Sequence, residues 1–149
     1  MLSKSCIYSI RSIIYIGHHA TIKHKIGIKE IAQELDLPVH FLSKILQRLV
    51  KHDVVQSLKG PNGGFYLNEK SKETPLLNIV DIMDGLSFFT SCGLGLQECS
   101  ETHPCPLHND FKIYRDGLYF LFSETKISTL ITKMEEGNVY IRNLSNYHQ

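Results

Sequence analysis

The 149-residue chain contains no apolar run approaching the about 18 residues that a membrane span requires, so no transmembrane segment is expected. Its opening, MLSKSCIYSIRSIIYIGHHA, has a basic residue and apolar positions, but Arg11 interrupts the apolar part and no small-residue cleavage site follows. A secretory leader is therefore not expected, and the working compartment is the cytoplasm, where thiols stay reduced. Internal repeats and low-complexity segments are missing as well, which excludes a repeat array. At this length a chain buries roughly 68–70% of its unfolded surface, so one domain forms without disulfide staples.

Net charge is nearly absent too, at +1, but the small value conceals a split. Residues 1–72 hold 11 Lys and Arg against 5 Asp and Glu, and residues 73–149 hold 5 against 10. An anion-binding front joined to a part with another job has this pattern, although two solvated faces of opposite sign would share it.

What is present is mainly helical. Ile7, Ile10, Ile13, Ile14 and Gly17 recur at three- and four-residue steps, which predicts a helix over residues 4–20. GIKEIAQELDL places Ile28, Ile31 and Leu35 on one side of a short second helix. Leu37-Pro38 then breaks the chain, with Pro38 suited to the first helical position of a third helix. That helix repeats Phe41, Leu42, Ile45, Leu46 and Leu49, while its other face carries His40, Ser43, Lys44, Gln47, Arg48 and Lys51. Two helices about a tight turn, the second with a basic outer face, outline a helix-turn-helix. VVQSLKGPNGGFYLN follows as two β-prone runs around a glycine-rich tip, a hairpin that completes a winged helix.

Residues 76–86 predict another short helix stopped by Gly85, and a long helix runs from near Pro106 to about Ser123. The long helix is apolar nearly all round, through Phe111, Ile113, Tyr114, Leu118, Tyr119, Phe120, Leu121 and Phe122, which implies burial on more than one side and hence self-association. A last short helix is expected over residues 126–134. The fold class is thus mainly α with a small β-hairpin: a winged helix-turn-helix domain plus a long C-terminal dimerisation helix. Residues 1–86 form the DNA-binding domain, 87–109 a cysteine-rich loop, 106–135 the dimerisation region and 136–149 a polar tail.

Base edges in the major groove are read by side chains at the exposed face of a recognition helix, and lysines and arginines on phosphates set register. His40, Ser43, Lys44 and Gln47 are the candidate readers; Arg48 and Lys51, later in the helix, suit phosphates, and Lys59 on the wing suits the backbone or the minor groove. The expected partner is double-stranded DNA, with a palindromic operator if the protein is a homodimer.

FFTSCGLGLQECSETHPCPLHND gathers Cys92, Cys99, Cys105 and His108 with spacing C-x6-C-x5-C-x2-H. Thiolates ligate iron-sulfur clusters, and three Cys with one His also suit zinc. Cys105 and His108 stand three apart where a helix begins, so both can face one centre, and the positive end of that helix favours thiolate. A Cys105/His108 nucleophilic dyad lacks a third orienting group. Cys6 reads as a packed helix residue, and His103 as a bystander or alternative nitrogen ligand.

The opening LSKSCIYSIRSIIYIG, the pair IGIKEIAQELDLPVHFLSKILQRLVKHDVV, the wing LKGPNGGFYL, the helix LNIVDIMDG and the later cysteines together resemble the Rrf-two (Rrf2) family of bacterial transcription regulators, over about residues 2–135. The resemblance implies a dimer of winged-helix domains joined by the C-terminal helix, with an iron-sulfur cluster in the loop before it, in preference to zinc. Relatives often have arginine where Lys59 stands, and some IscR-like members have an acidic residue at the position of Ser43, which leaves the operator open. IscR-like members take a histidine at the place of His108 as the fourth ligand. Some NsrR-like members use an acidic residue of the partner's first helix; the matching position here is Ile7, which cannot ligate, with Cys6 beside it. The first cysteine spacing is longer than in IscR, which leaves 2Fe-2S and 4Fe-4S both open. The implied function is a DNA-binding regulator, a repressor, whose cluster senses nitric oxide, redox state or iron-sulfur supply, and not an enzyme. The alternative is a zinc-binding or redox protein that uses its winged helix for protein contacts.

Overall fold

The computed structural model describes residues 1–143. Helix α1 (Lys4–His19) starts where the Ser3 hydroxyl accepts from the Cys6 N–H at 3.1 Å, satisfying one of the free donors of the first turn. The same serine bonds to Asp84, which ties the start of α1 to the end of α5 (Leu76–Asp84). Along α1 the buried face runs through Cys6, Ser9, Ile13 and Ile16. Ile7, grouped with the inner isoleucines by spacing alone, is 38% exposed because this phase turns Cys6 inward instead.

Helices α2 (Ile28–Leu35) and α3 (Val39–Lys51) make the expected helix-turn-helix. Asp36 closes α2 in the left-handed region (φ 54°), a conformation that aspartate tolerates, and the Leu37 N–H returns to the Ala32 carbonyl at 2.9 Å. Pro38 caps α3 and Val39 is its first helical residue, one position later than the proline preference suggests. Leu42, Ile45, Leu46 and Leu49 are buried against α1 and α2, each side chain contributing roughly 1.5–3 kcal/mol by its burial.

The wing is the antiparallel pair β1 (Gln56–Leu58) and β2 (Gly64–Tyr66), with Ser57 opposite Phe65. Ile26, just before α2, pairs with Phe65 from the other side, with N–H to carbonyl distances of 3.0 and 2.8 Å. The two backbones approach so closely that a Cβ on Gly64 would lie 2.7 Å from the Ile26 carbonyl oxygen, and Gly64 has φ +142°. The wing is therefore fixed to the helix-turn-helix through its own root. A short α4 (Glu69–Lys72), not expected from periodicity, begins at the Asn68 cap, and its buried Ser71 hydroxyl reaches the Asp53 carbonyl and Gln56 at the base of β1.

After α5, a 3₁₀ turn (Ser87–Phe89) leads into the cysteine loop. Helix α6 (His108–Glu124) begins two residues later than Pro106, and α7 (Ile127–Glu136) returns to α1, burying Ile127 and Ile131. The expected polar tail is not free over its first part. Ile141 packs on the core, Arg11 donates to the carbonyls of Ile141 and Leu35, and Arg142 pairs with Glu34 at 3.3 Å. The last six residues of that tail lie outside the described residues. Among the described residues, no helix is long and apolar enough to cross a membrane.

Candidate nucleic-acid interface and metal centre

The amphipathic phase of α3 that buries its leucines turns His40, Lys44, Gln47, Arg48 and Lys51 outward; all five are exposed, and Ser43 is half-buried. The Gln47 amide donates to the Ser43 hydroxyl at 3.3 Å, so these two candidate readers form one polar patch. Lys59 is exposed near the wing tip. A groove of about 480 Å³ runs between the end of α3 and the wing, lined among others by Gln47, Ser57, Lys59 and Gly60. Of the candidate readers, Gln47 thus shares this concave surface with the wing lysine. Lys23, Lys25 and Lys29, on the turn before α2 and its first residues, add positive charge near the wing root, and Lys25 lies over the Tyr66 ring at 5.5 Å.

The four residues singled out in the cysteine loop come together as two pairs. Cys92 and Cys105 bring their sulfurs to 3.6 Å, and the Cys99 sulfur lies 3.3 Å from Nδ1 of His108. His108 is the first residue of α6 and is buried, with its Nε2 lacking a partner. Cys92 is also buried; the Leu94 N–H, at 3.4 Å from its sulfur, and then the Leu96 N–H lower its pKa below that of an ordinary thiol. Gly93 has no room for a side chain, since a Cβ there would stand 2.8 Å from the Phe111 ring of α6. His103 is exposed and, among the described residues, bonds within its own turn, to Thr102 and Ser100. Cys6 is fully buried in a separate cluster with Val80 and Phe89, and burial, with Asp84 nearby, pushes its thiol up to about 12.

Arg115, which sequence reasoning did not single out, completes the site. It is 9% exposed, and its guanidinium donates to the Cys99 sulfur at 2.9 Å and to the Ser91 carbonyl at 3.1 Å. It stands two turns after His108 on the same face of α6, and that spacing is the one clue the sequence offered.

Three thiols, an imidazole with an unpartnered buried nitrogen and a neighbouring buried cation form a donor set that fits an anionic, sulfur-ligated centre. Among the described residues, no three His, Cys, Asp or Glu side chains converge on one point as a single metal ion requires. A tetrahedral zinc site draws four ligands to one ion at about 2.0–2.3 Å, whereas a two-iron cluster takes two protein ligands on each iron.

Helix-turn-helix, wing and thiol-rich loop together define a winged-helix transcriptional regulator. Residues 2–133 match the family model Rrf2, described as an iron-dependent transcriptional regulator, and the chain belongs to this family. It is 30% identical over 142 residues to an HTH-type transcriptional regulator of Aquifex aeolicus, covering 94% of this chain and 96% of that one. The IscR regulator of Pectobacterium atrosepticum is 20% identical over 132 residues, covering 89% and 79%. Among solved structures, CymR, the global cysteine regulator of B. subtilis, superposes with a TM-score of 0.72 at 19% identity, over 89% of this chain and 97% of that one. IscR of T. potens superposes with 0.69 at 14% identity, over 99% and 96%. These structural likenesses establish the fold.

Proposed function

We propose that this regulator is a homodimeric repressor whose affinity for a palindromic operator is set by an iron-sulfur cluster held by Cys92, Cys99, Cys105 and His108. The observation that carries the reading is the gathering of three thiols and a buried imidazole at the start of α6, the helix that also presents an unpartnered apolar face. A two-iron cluster is favoured over a four-iron one and over zinc by the two ligand pairs. When bound, the cluster would supply iron and sulfide that react with nitric oxide or oxidants, and its occupancy would follow the supply of iron. The chain's own residues then carry the consequence. The loop is fixed to α6, α6 packs on α5, α5 on α1, and α1 supports α3. Two arrangements of the loop differ in operator affinity only if they place the two α3 helices differently, which the route through α5 and α1 allows.

Dimerisation uses α6. Ile113, Phe120 and Leu121 are 70, 66 and 55% exposed on one stripe, and Gly117 between them lets a second helix approach closely. Phe120→Glu is expected to give a monomer in sedimentation; an unchanged dimer would place the interface elsewhere. On α3 and the wing, Ser43, Lys44 and Gln47 with His40 read bases, and Arg48, Lys51 and Lys59 hold phosphates.

Anaerobic reconstitution with iron and sulfide tests the cluster: a visible charge-transfer spectrum that disappears in Cys105→Ser is expected. A colourless protein with one stoichiometric zinc would overturn it. A second reading, a regulator working through thiols alone, is favoured by the 3.6 Å between Cys92 and Cys105; a Cys92–Cys105 disulfide that alone switches DNA binding in metal-free protein would support it.

A further inference from the structure

Helix α6 grips the cysteine loop at three successive levels. His108 meets Cys99, Lys112 pairs with Glu101, and Arg115 reaches inward past both. Only the last of these contacts is made by a charged group that is itself buried. Arg115 NH1 is shared between the Cys99 sulfur at 2.9 Å, the Ser91 carbonyl at 3.1 Å and the Thr90 carbonyl at 3.5 Å. Its NH2 faces the exposed Asp116 at 3.6 Å, and its Nε is buried without a partner.

A guanidinium withdrawn from water is costly unless an anion and hydrogen-bond acceptors replace the lost hydration. Two peptide carbonyls and a solvated carboxylate do so incompletely. A metal-bound Cys99 sulfur would supply the matching negative charge, and the spare Nε–H leaves one donor for a further acceptor. The side chain also touches both limbs of the loop: Thr90 and Ser91 immediately precede Cys92, and Cys99 follows it by seven residues. One group therefore ties a member of one ligand pair to the turn that leads into the other.

We infer that Arg115 is a positioning residue for the centre, holding Cys99 and the turn before Cys92 against α6 and, through its hydrogen bond to the ligand sulfur, raising the reduction potential of the bound cluster. The second half of this inference rests on the cluster reading above; the first half does not. Hydrogen bonds and positive charge at a ligand sulfur stabilise the more reduced, more negative state, which is the sign of the expected shift. Lysine at this position would keep the charge but offers a single ammonium in place of the planar fork, so it cannot span the three acceptors.

Arg115→Met and Arg115→Lys, each compared with wild type by two measurements, test it. In reduced, metal-free protein, amide hydrogen exchange over residues 90–99 is expected to rise about tenfold in both variants, with α1 and α3 unchanged. In protein reconstituted anaerobically with iron and sulfide, Arg115→Met is expected to show a more negative potential and faster bleaching under a chelator, while Arg115→Lys recovers the potential. Wild-type exchange in both variants together with a wild-type potential in Arg115→Met would overturn the inference. If Arg115→Met unfolds, exchange rises in α1 and α3 too, and Arg115→Lys alone decides. A wild-type protein that takes up no chromophore contradicts the cluster reading, and the exchange measurement still decides the positioning role.

Discussion

At the scale of single residues, the four cysteines of this chain have two different fates set by their surroundings. Cys92 has backbone N–H groups aimed at its sulfur, which favours thiolate, whereas Cys6 is enclosed by Val80 and Phe89, with its thiol up at about 12. Alkylation at about pH 8 follows the thiolate fraction. Cys6 is therefore expected to stay unmodified in native metal-free protein and to react only in denaturant, while Cys99 and Cys105, which are partly exposed, are reached by the reagent without denaturant; peptide mass spectrometry separates them. Equal labelling of Cys6 would show that α1 does not pack on α5 as described. Cys6 was legible in the sequence as a packed helix residue, but Arg115 was not. A lone arginine on an apolar helix ordinarily reads as solvated, and only the folded loop brings Cys99 and the Ser91 carbonyl to it.

At the scale of elements, periodicity delivered the helices of the helix-turn-helix because each has one dominant apolar face, as the leucines of α3 illustrate. It did not deliver α4, whose four residues complete barely one turn and owe their order to the Asn68 cap and to Ser71 under the wing. The Ile26–Phe65 pairing was equally hidden, since it joins residues 39 positions apart through backbone alone. That pairing gives the wing a fixed position beside α3. Lys59→Ala is accordingly expected to weaken binding to all DNA sequences and to flatten the salt dependence by about 1 in slope. An unchanged slope would remove Lys59 from the interface. Where α7 joins the domain, Lys126 lies 2.6 Å from Glu73 and holds its carboxyl below the usual range. A depressed folded pKa stabilises above the unfolded value of about 4.3 and ceases to do so as pH falls through the lower folded value. Lys126→Met is thus expected to lower the melting temperature at neutral pH and at low salt, with the difference from wild type shrinking as pH falls below the unfolded carboxylate value and vanishing once Glu73 is protonated in both states. A difference that persists in acid would mean that the lysine acts through packing.

At the scale of the whole molecule, charge divides along the chain, with 11 Lys and Arg against 5 Asp and Glu in residues 1–72 and 5 against 10 in residues 73–149. The basic half folds into α1, the helix-turn-helix and the wing, and the acidic half carries Cys92, Cys99, Cys105 and the exposed α6 stripe. The apolar surplus of α6 was readable from the number of its apolar positions, but which of them face outward depended on α5 and the 3₁₀ turn covering Phe122 and on Gly93 lying against Phe111. The tail escaped the reading because its polar composition does not reveal that Ile141 docks on the core. The central claim is that the state of the loop governs the DNA-binding face, and fluorescence anisotropy tests it most directly. Reconstituted and chelator-stripped samples of one preparation are titrated against operator-containing and unrelated DNA. Salt-sensitive, sequence-selective binding whose affinity changes by about tenfold or more between the two states is expected. Equal affinity in both states, or no selective binding in either, would contradict it.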